Sequence, residues 1–499
     1  MSQPVFPFPA TTYALTAAGA ATHRIAGRFC AAGTGASRPV ENPRHGAAMG
    51  EVAWGDGADV QAAVAAAQAA FPGWRDTPPK ARAQILHRWR VLLEQQLEEL
   101  AWLASHENGK IVGEARASVE KGIECLEFAI AVPNAQNGGV MEVSRGISCE
   151  VRQEPLGVVA GVVPFNFPAM VPMWMVPLAL AAGNCFILKP SEKVPFTALR
   201  MAQLADEAGL PPGVLQIVQG GQPVVEALCD HPAIRALAFV GSTRVAKLVY
   251  GRTTALGKRC LALGGAKNHL VVVPDADPEM TATNVVASSM GSAGQRCMAA
   301  SVMVAVGDVQ HIVDLTVEKA RAIRMGEDIG SIIDAEAVAR IERYIEDAVQ
   351  RGAKLLLDGR GQRPAGSEGY WVGPTILDGV TADMPAGCDE IFGPVLSIIR
   401  ADTLDQAIAI ENDNPYGNAA AIYTSNGGTA EYAIARFSAG MCGVNIGVPV
   451  PREPFAFGGW NDSRIGHGDI TGADGYRFWS QARKVTTKWA LQKDATWMS

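Results

Sequence analysis

The sequence has no block of basic residues and no strong excess of either charge. Its 499 residues include 43 lysines and arginines against 50 aspartates and glutamates, for a net charge of -7. Proteins that bind nucleic acid usually carry lysine and arginine clustered in a run or on one face. Because no such cluster is visible, we do not expect nucleic acid to be a partner.

Cysteine is present, but not in the spacings that bind metals or build a disulfide framework. None of the nine cysteines forms a Cys-x-x-Cys pair, and no cluster of cysteine and histidine has zinc spacing. The cysteines are scattered along a long chain, whereas disulfide-rich proteins are usually short and secreted. We therefore expect no metal site and a reducing compartment, the cytoplasm.

The sequence also lacks an uninterrupted apolar run of membrane-spanning length. No charged residue occurs from Leu156 to Leu188, which would be long enough, but four prolines and two asparagines interrupt the segment. A lipid-exposed helix would leave backbone groups unsatisfied at those breaks. We interpret the segment as a buried strand, a loop leading into a buried helix, and a second buried strand. The N-terminal stretch lacks the positive region of a signal peptide, so no membrane partner is expected.

What the sequence does contain is an alternation of short apolar runs with helical segments. Strand-like runs such as ALAFVG alternate with helical segments such as STRVAKLVYG over residues 151–260, and HLVVVPDAD, AAAIYT and MCGVNIG continue the pattern later. This alternation predicts doubly wound α/β sheets. Helices are also predicted over 58–70 and 111–130, and apolar residues recur at helical spacing over 81–104. The final KVTTKW is predicted to be a strand that pairs with another chain or a distant edge.

The segment GSAGQRCMAAS, residues 291–301, places a cysteine in a setting that suits a nucleophile. Its glycines permit close backbone approach, and Arg296 beside Cys297 would stabilise a thiolate. Taken alone, such a cysteine is more often a small buried hydrophobic residue. The rest of the chain decides between these two interpretations.

An ordered set of motifs runs along most of the chain. In order these are PFNFPAMVP, ILKPSE, FVGSTR, LGGAKN, GQRCMAAS, DEIFGPV, NPYGNAAAIYT and FGGW. In this order, over roughly residues 25–490, the chain resembles the aldehyde dehydrogenase superfamily. GAKNH at 265–269 and GVPVP at 447–451 make it most similar to the CoA-acylating branch, that of methylmalonate-semialdehyde dehydrogenase.

The resemblance implies an aldehyde dehydrogenase-like α/β fold in three parts. A Rossmann-type NAD-binding domain is expected over residues 1–132 and 156–264, and an α/β catalytic domain over 265–455. A small β oligomerisation arm is expected over 133–155 and 475–495, with strands that pair across the subunits of a dimer or tetramer.

The resemblance also assigns roles to individual residues. Cys297 is the nucleophile that forms a thioacyl-enzyme, and the Asn166 side chain with the Cys297 N–H stabilises the oxyanion. A carboxylate at Glu192 would accept from ribose hydroxyls and repel a 2′-phosphate, so NAD is expected rather than NADP. The residues expected to bind NAD are Phe165, Lys189, Glu192, Lys193, Gly241, Ser242, Gly264, Glu390 and Phe392. Without the motif order, Asn166 is equally a turn residue, and Lys189 with Glu192 a surface pair.

One residue that ordinary aldehyde dehydrogenases share is missing. They carry a glutamate two residues before the paired glycines of the LGG motif, where it activates the water that hydrolyses the thioester. Here Ala262 takes that position. Without this base the thioester would last until a better nucleophile, the thiol of coenzyme A, captured it. Two alternatives stay open: another group activates water, or the chain is inactive.

The expected substrate is a small acidic semialdehyde of the malonate or methylmalonate type. The family binds the substrate carboxylate with two arginines, which are matched here by Arg296 and Lys121. Lysine offers a point charge instead of a planar fork, so the anion is held differently or belongs to another acidic aldehyde. The expected product is propionyl-CoA or acetyl-CoA, with loss of CO2. The alternatives are a dehydrogenase that releases a free acid and a catalytically silent binding or structural protein on the same scaffold.

Overall fold

The computed structural model describes residues 13–135 and 138–489, so the parts of the predicted domains at 1–12, 136–137 and 490–495 lie outside the described residues. The chain opens with short strands followed by a group of helices. These are β1 (Gly19–Ala21), β2 (His23–Ile25), β3 (Arg28–Cys30), β4 (Ser37–Asn42), β5 (Ala47–Ala53), α1 (Gly57–Asp76), α2 (Pro79–Gln95), α3 (Leu97–Asn108) and α4 (Val112–Ala135).

Strands and helices then alternate along the chain. The first half continues with β6 (Val140–Ser144), β7 (Ile147–Pro155), β8 (Val158–Val162), α5 (Met170–Ala181), β9 (Cys185–Lys189), α6 (Phe196–Glu207), β10 (Leu215–Ile217), α7 (Gln222–Asp230), β11 (Ile234–Val240), α8 (Thr243–Thr254) and β12 (Arg259–Leu263). The second half contains β13 (Asn268–Val272), α9 (Pro278–Met290), β14 (Ala300–Val306), α10 (Gln310–Arg321), α11 (Ala335–Gln350), β15 (Lys354–Leu357), β16 (Thr375–Asp378), α12 (Pro385–Cys388), β17 (Val395–Ala401), α13 (Leu404–Asn412), β18 (Tyr416–Gly417), β19 (Ala419–Tyr423), α14 (Gly427–Ile434), β20 (Met441–Val444), β21 (Trp460–Asn461), β22 (Arg464–Gly466), α15 (Gly472–Phe478) and β23 (Ser480–Lys488).

The first helices show both what periodicity predicts and what it misses. The helix predicted over 58–70 is the middle of α1, which begins with a reciprocal cap between Asp56 and Asp59. The helical spacing over 81–104 is divided between α2 and α3, because Gln96 leaves the helical conformation with φ -104° and ψ 20°. The apolar residues on both sides keep their spacing, so periodicity alone does not show this break.

The first large sheet has the strand order β22-β12-β11-β8-β9-β10-β2-β3. Its five central strands are parallel, and antiparallel strands flank them on both sides. The charge-free segment forms β8, α5 and β9, in which every residue except Met170 is buried. The strand–helix–strand interpretation is therefore confirmed. No helix among the described residues is both long and apolar enough to cross a membrane.

The second large sheet has the order β15-β16-β17-β14-β13-β19-β20 and is parallel except for the edge strand β15. Each large sheet packs with its helices around its own hydrophobic core. A short 3-10 turn over Gly291–Gly294 joins α9 to the segment that carries Cys297. Met298 belongs to the first core and Cys297 packs against it, so this segment connects the second sheet to the first core.

A third, smaller sheet is formed by β6, β7 and β23, all antiparallel. The predicted terminal strand, β23, pairs along its whole length with β7, from Ser480 opposite Pro155 to Lys488 opposite Ile147. It therefore pairs with a distant edge of its own chain. Within this part of the predicted arm, residues 133–135 belong to α4 and 475–478 to α15, so only the strands form the sheet.

The outer edge of β6 carries apolar side chains in contact with solvent. Val140, Met141 and Val143 are 73%, 66% and 50% exposed. Within the described ranges, β7 is the one strand that pairs with β6. An exposed apolar edge strand is a surface on which strands of another chain can pair. Pairing across subunits stays a prediction.

Candidate active site

A cavity of about 1180 Å³ opens at the carboxyl ends of β8, β9, β11 and β12. Ligands bind at this edge of open α/β sheets, because the connections leave a crevice there. Its lining includes eleven of the residues predicted from the sequence. These are Phe165, Asn166, Lys189, Glu192, Lys193, Gly241, Ser242, Gly264, Cys297, Glu390 and Phe392. Both halves of the chain contribute to this one cavity.

The turn before Cys297 has a left-handed backbone over three consecutive residues. Ser292 and Ala293 have φ values of 50° and 52°, and Gly294 follows with 67°. Residues other than glycine rarely adopt this conformation, so the surroundings must hold it. A Cβ at Gly294 would collide with the carbonyl of Gly393. The second glycine of GSAGQRC is therefore required by the close approach of another backbone.

The Cys297 thiol lies in surroundings that favour its protonated form. Burial raises the pKa of this thiol to about 12, and the negative charge of Glu390 acts in the same direction. Hydrogen bonds from the backbone N–H groups of Cys297 and Met298, and the charge of Arg296, oppose this rise. Because only the thiolate is strongly nucleophilic, attack on a carbonyl requires that this proton be removed.

Glu390 reaches the cavity from the DEIFGPV segment. Its Oε1 accepts a hydrogen bond from the N–H of Ala266 at 3.0 Å. A Cβ at Gly265 would collide with this carboxylate. The second glycine of LGG is therefore needed because any side chain there would overlap with Glu390. Burial raises the pKa of Glu390 to about 7, although the bond from Ala266 and the charge of Lys267 lower it. Near neutral pH this carboxyl is present in both protonation states.

Asn166 is buried and directs its side-chain amide at the segment before Cys297. Its Nδ2 donates to the main-chain carbonyl of Gln295 at 3.0 Å, and the main-chain carbonyl of Asn166 accepts from Lys110 Nζ at 2.5 Å. The residue is only 4% exposed, and its role stays a prediction. A donor fixed beside the nucleophile is what an oxyanion site requires.

The residues predicted for the adenosine side of NAD lie at the ends of β9 and β11. Lys189 Nζ is 2.6 Å from Glu192 Oε2. Burial raises the pKa of Glu192, but the charge and hydrogen bond of Lys189, a backbone hydrogen bond and the charge of Lys193 together outweigh burial, so the pKa lies below its ordinary value. Lys193 forms an ion pair with Asp334. Ser242 directly precedes α8, whose first N–H groups and dipole favour an anionic group.

Two phenylalanines meet at the end of the cavity where the nicotinamide is predicted to bind. The rings of Phe165 and Phe392 have their centroids 5.8 Å apart and are nearly perpendicular at 83°. Phe392 has a left-handed backbone with φ 57°. Both residues line the cavity.

The two cations predicted to bind the substrate already face carboxylates of the chain. Arg296 Nη2 lies 3.6 Å from Glu114 Oε1. Lys121 Nζ lies 2.8 Å from Glu453 and 3.1 Å from Glu124. Within the part of the chain that the structure describes, the residues that line the cavity do not include Arg296 or Lys121. Their role toward the substrate therefore stays a prediction.

Ala262 lies in β12, between Phe239 of β11 and Ile465 of β22, and is fully buried. Its methyl group has no atom that could accept a proton. The acidic side chains in the cavity lining are Glu192, Glu226 and Glu390. The position at which ordinary aldehyde dehydrogenases carry a water-activating base therefore holds none.

Residues 30–485 match the sequence profile of the aldehyde dehydrogenase family. The chain belongs to this family. The resemblance inferred from the ordered motifs is thereby confirmed. Malonate-semialdehyde dehydrogenase 2 of Geobacillus kaustophilus is 44% identical over 473 residues, which are 93% of this chain and 98% of that protein. The malonate-semialdehyde dehydrogenase of Pseudomonas aeruginosa is 43% identical over 480 residues, 94% and 96% of the two chains.

Solved structures agree with this aldehyde dehydrogenase along nearly their whole length. The methylmalonate-semialdehyde dehydrogenase of Oceanimonas doudoroffii has a TM-score of 0.93 at 40% identity and covers 96% of this chain and 99% of its own. A protein of Sinorhizobium meliloti, complexed with NAD, has a TM-score of 0.94 at 40% identity and covers 95% and 99%. The predicted aldehyde dehydrogenase-like α/β fold is confirmed.

Sequence reasoning missed two buried amides that hold the site of this aldehyde dehydrogenase. Asn268 Nδ2 donates to the carbonyl of Cys297 at 2.9 Å, and its Oδ1 accepts from the N–H of Ala419 at 3.0 Å. Gln295 Oε1 accepts from the N–H of Ile333 at 3.0 Å. Asn268 lies in the motif GAKNH and Gln295 in the motif GQRC. Their position inside these motifs is the sequence feature that could have identified them.

Lys110 and Glu114 were also missed, and they lie in none of the motifs. Lys110 follows Gly109, which ends α3 with a left-handed φ of 87°. Asn108, just before it, donates to the carbonyl of Phe165 at 2.9 Å. A lysine directly after a helix-ending glycine was the only local signal, and it is a weak one.

Proposed function

We propose that the protein oxidises a small acidic semialdehyde, of the malonate or methylmalonate type, with NAD as the oxidant. The acyl group passes through a thioester on Cys297 to the thiol of coenzyme A. The observation that carries this proposal is that Cys297 and Asn166 share one cavity, while Ala262 replaces the carboxylate base. With these substrates the carbon–carbon bond to the carboxylate also breaks, CO2 leaves, a proton from solvent takes its place on carbon, and the product is acetyl-CoA or propionyl-CoA.

The residues around the cavity fit NAD. Lys189 and Glu192 offer a donor and an acceptor for ribose hydroxyls, and the N-terminus of α8 after Ser242 suits a pyrophosphate. Glu390 and Phe392 flank the far end, which suits the second ribose and the nicotinamide. When bound, NAD supplies the acceptor for the hydride of the aldehyde. The NAD complex of the Sinorhizobium meliloti protein supports this choice.

Cys297 and Asn166 carry the oxidation. After the thiol proton has gone to solvent, the sulfur bonds to the aldehyde carbon and the carbonyl electrons move onto oxygen. The Asn166 amide and the Cys297 N–H donate to that oxygen, which stabilises the developing charge. When the carbonyl re-forms, the hydrogen leaves as hydride and a thioester with Cys297 remains.

The second half of the reaction depends on the replacement of a carboxylate base by Ala262. No carboxylate there prepares a water molecule, so the thioester outlives the hydride step. The coenzyme A thiol then attacks the acyl carbon, the bond to Cys297 breaks, and the proton of the incoming thiol balances the departing thiolate. The names of the relatives, malonate-semialdehyde and methylmalonate-semialdehyde dehydrogenase, support the substrate class.

A second candidate function is an aldehyde dehydrogenase that releases a free acid. The observation that favours it is Glu390, a cavity carboxyl whose burial raises its pKa to about 7, which suits a general base. A silent binding protein is disfavoured because Cys297, Asn166, Lys189 and Glu390 all line the same cavity.

The test is a panel of acidic and neutral aldehydes with NAD, with and without coenzyme A, followed by NADH absorbance and mass spectrometry. We expect acyl-CoA as the main product and a rate that depends on coenzyme A. Free acid formed at the same rate in both arms would establish the second candidate. Cys297→Ala is expected to abolish NADH formation while NAD binding persists, whereas a silent protein would show no turnover in any arm.

We also propose a dimer or a tetramer that uses the exposed apolar edge of β6. Light scattering on the purified protein is expected to give twice or four times the chain mass, and a stable monomer would contradict this.

A further inference from the structure

We propose that Lys110 and Glu114 are positioning residues that hold the Asn166 amide and the Cys297 thiol in a working arrangement. The inference rests on the proposed roles of Cys297 and Asn166. Lys110 lies in the short connection between α3 and α4, and Glu114 lies in the first turn of α4. Neither belongs to the cavity lining among the described residues.

Lys110 holds the main chain that carries the Asn166 amide. The residue is buried, with 2% of its surface exposed. Its Nζ donates to the Asn166 carbonyl at 2.5 Å and lies 4.2 Å from the centre of the Phe167 ring. A buried ammonium is costly unless its protons are bound, and an apolar side chain would fill the same space without that cost. A lysine at this buried position is therefore explained by its hydrogen bond to the main chain of Asn166.

Glu114 holds the left-handed turn before Cys297. Its Oε1 accepts from the N–H of Ser292 at 2.6 Å, and Ser292 is the first residue of that turn. The same oxygen lies 3.6 Å from Arg296 Nη2. Left-handed conformations of residues other than glycine persist only where contacts impose them. Glu114 supplies such a contact at the point where the chain leaves α9.

The two contacts meet at Gln295. Lys110 sets the main chain of Asn166, whose Nδ2 donates to the Gln295 carbonyl at 3.0 Å. Glu114 sets Ser292, three residues before Gln295. The predicted oxyanion donor and the segment of the nucleophile are thus both held by residues at the junction of α3 and α4. Loss of either contact lets the amide and the thiol move relative to each other, which slows chemistry without changing NAD binding.

The experiment compares Lys110→Met, Glu114→Ala and Glu114→Gln with wild type in single-turnover NADH formation. We expect Lys110→Met and Glu114→Ala to be at least about tenfold slower, since misplacing reacting groups by about 1 Å can cost a hundredfold. Glu114→Gln keeps an oxygen that accepts from Ser292 and is expected to stay within about threefold of wild type. The NAD dissociation constant is expected to stay within about twofold in all three.

The matched control is Glu120→Gln, because Glu120 lies on the same helix but is exposed and pairs with Arg116 at the surface. It is expected to behave as wild type. The double variant Lys110→Met/Glu114→Ala is expected to be only slightly slower than the slower single variant, because both residues act through one segment. Circular dichroism checks that each variant folds. If Lys110→Met does not fold, the comparison of Glu114→Ala with Glu114→Gln tests the proposal.

Single-turnover rates within about twofold of wild type for both Lys110→Met and Glu114→Ala would overturn the proposal. A Glu114→Gln variant as slow as Glu114→Ala would also overturn it, because the charge and not the hydrogen bond would then matter. Cys297→Ala separates this failure from that of the proposed function. If Cys297→Ala still forms NADH, the proposed function fails. If it is inactive while the positioning variants match wild type, only the present inference fails.

Discussion

Lys121 and Glu453 form an ion pair with 2.8 Å between Nζ and Oε2, in which the side chains are only 17% and 9% exposed. The Cys125 thiol lies 3.3 Å from the other oxygen of Glu453. A carboxylate of the protein is therefore already paired with the lysine that is predicted to match one of the two substrate-binding arginines of the family. A substrate carboxylate that binds Lys121 must compete with Glu453.

Replacing Glu453 is expected to change selectivity between aldehydes. In Glu453→Gln the charge of Lys121 is less neutralised, so binding of an acidic aldehyde improves and binding of a neutral one does not. We expect the ratio of kcat/KM for malonate semialdehyde over that for propanal to rise about tenfold, which corresponds to about 1.4 kcal/mol. Glu124→Gln is the control, because Glu124 also contacts Lys121 but is 40% exposed. Equal changes for both aldehydes would count against a role of Lys121 in binding the anion.

Restoring a carboxylate at position 262 is expected to restore hydrolysis. In Ala262→Glu, turnover without coenzyme A is expected to rise about a hundredfold, the usual contribution of a positioned general base, and mass spectrometry should find free acid. The thermal midpoint should fall, because Ala262 is fully buried in the sheet. Ala262→Gln has the same size but accepts no proton, so it should show no such rise. An equal rise in both variants would mean that space, and not a base, limits hydrolysis.

The reactivity of Cys297 without NAD is expected to depend on pH through Glu390. Because burial raises the pKa of the thiol to about 12, alkylation by iodoacetamide should be slow at pH 7 and should still be rising at pH 10. Glu390, with a pKa of about 7, is charged above neutrality, and its charge contributes to the raised pKa of Cys297. In Glu390→Gln alkylation should therefore be faster at pH 8–10, and the difference should shrink below pH 6.

The exposed neighbour Asp389 provides the control for this measurement. Asp389→Asn is expected to leave the alkylation profile unchanged. A Glu390→Gln profile that coincides with wild type, or lies at higher pH, would show that Glu390 does not act on the thiol.

A buried carboxyl away from the site should make stability depend on pH. Glu411 is 3% exposed, and its Oε2 accepts from the N–H of Ser438 at 2.9 Å. Burial raises the pKa of Glu411 from 4.5 to about 7. The folded state therefore holds this proton more tightly. The stabilisation is complete below pH 4.5 and is lost as the pH rises through 7, a change on the order of 3 kcal/mol.

Glu411→Gln cannot titrate, so its free energy of unfolding should fall less between pH 5 and pH 8 than that of wild type. Urea denaturation at both pH values measures the difference. Glu431→Gln, on the exposed face of the nearby helix α14, should keep the wild-type dependence. If Glu411→Gln also kept that dependence, the proton on Glu411 would have no part in it.

The sequence was sufficient for features that depend on local pattern or on general rules of sheet topology. Prolines inside the charge-free segment separated β8, α5 and β9, and residues at strand ends, such as Lys189 and Gly241, were expected at one edge and line one cavity. Contacts between distant segments could not be predicted in this way. Lys121 and Glu453 are 332 residues apart, and no periodicity links them. The break at Gln96 was missed for the opposite reason, because it leaves the periodicity intact.

The pairing of β23 with β7 sets the order in which the molecule is completed during synthesis. A ribosome that has finished β7 must still translate the chain from Pro155 to Ser480 before the partner strand exists. At roughly 5–20 residues per second this takes on the order of half a minute. Throughout that interval one side of β7 is open to strands of neighbouring nascent chains on the same messenger. That side closes only once β23 has left the exit tunnel, so this corner of the molecule is completed long after β7 has been made.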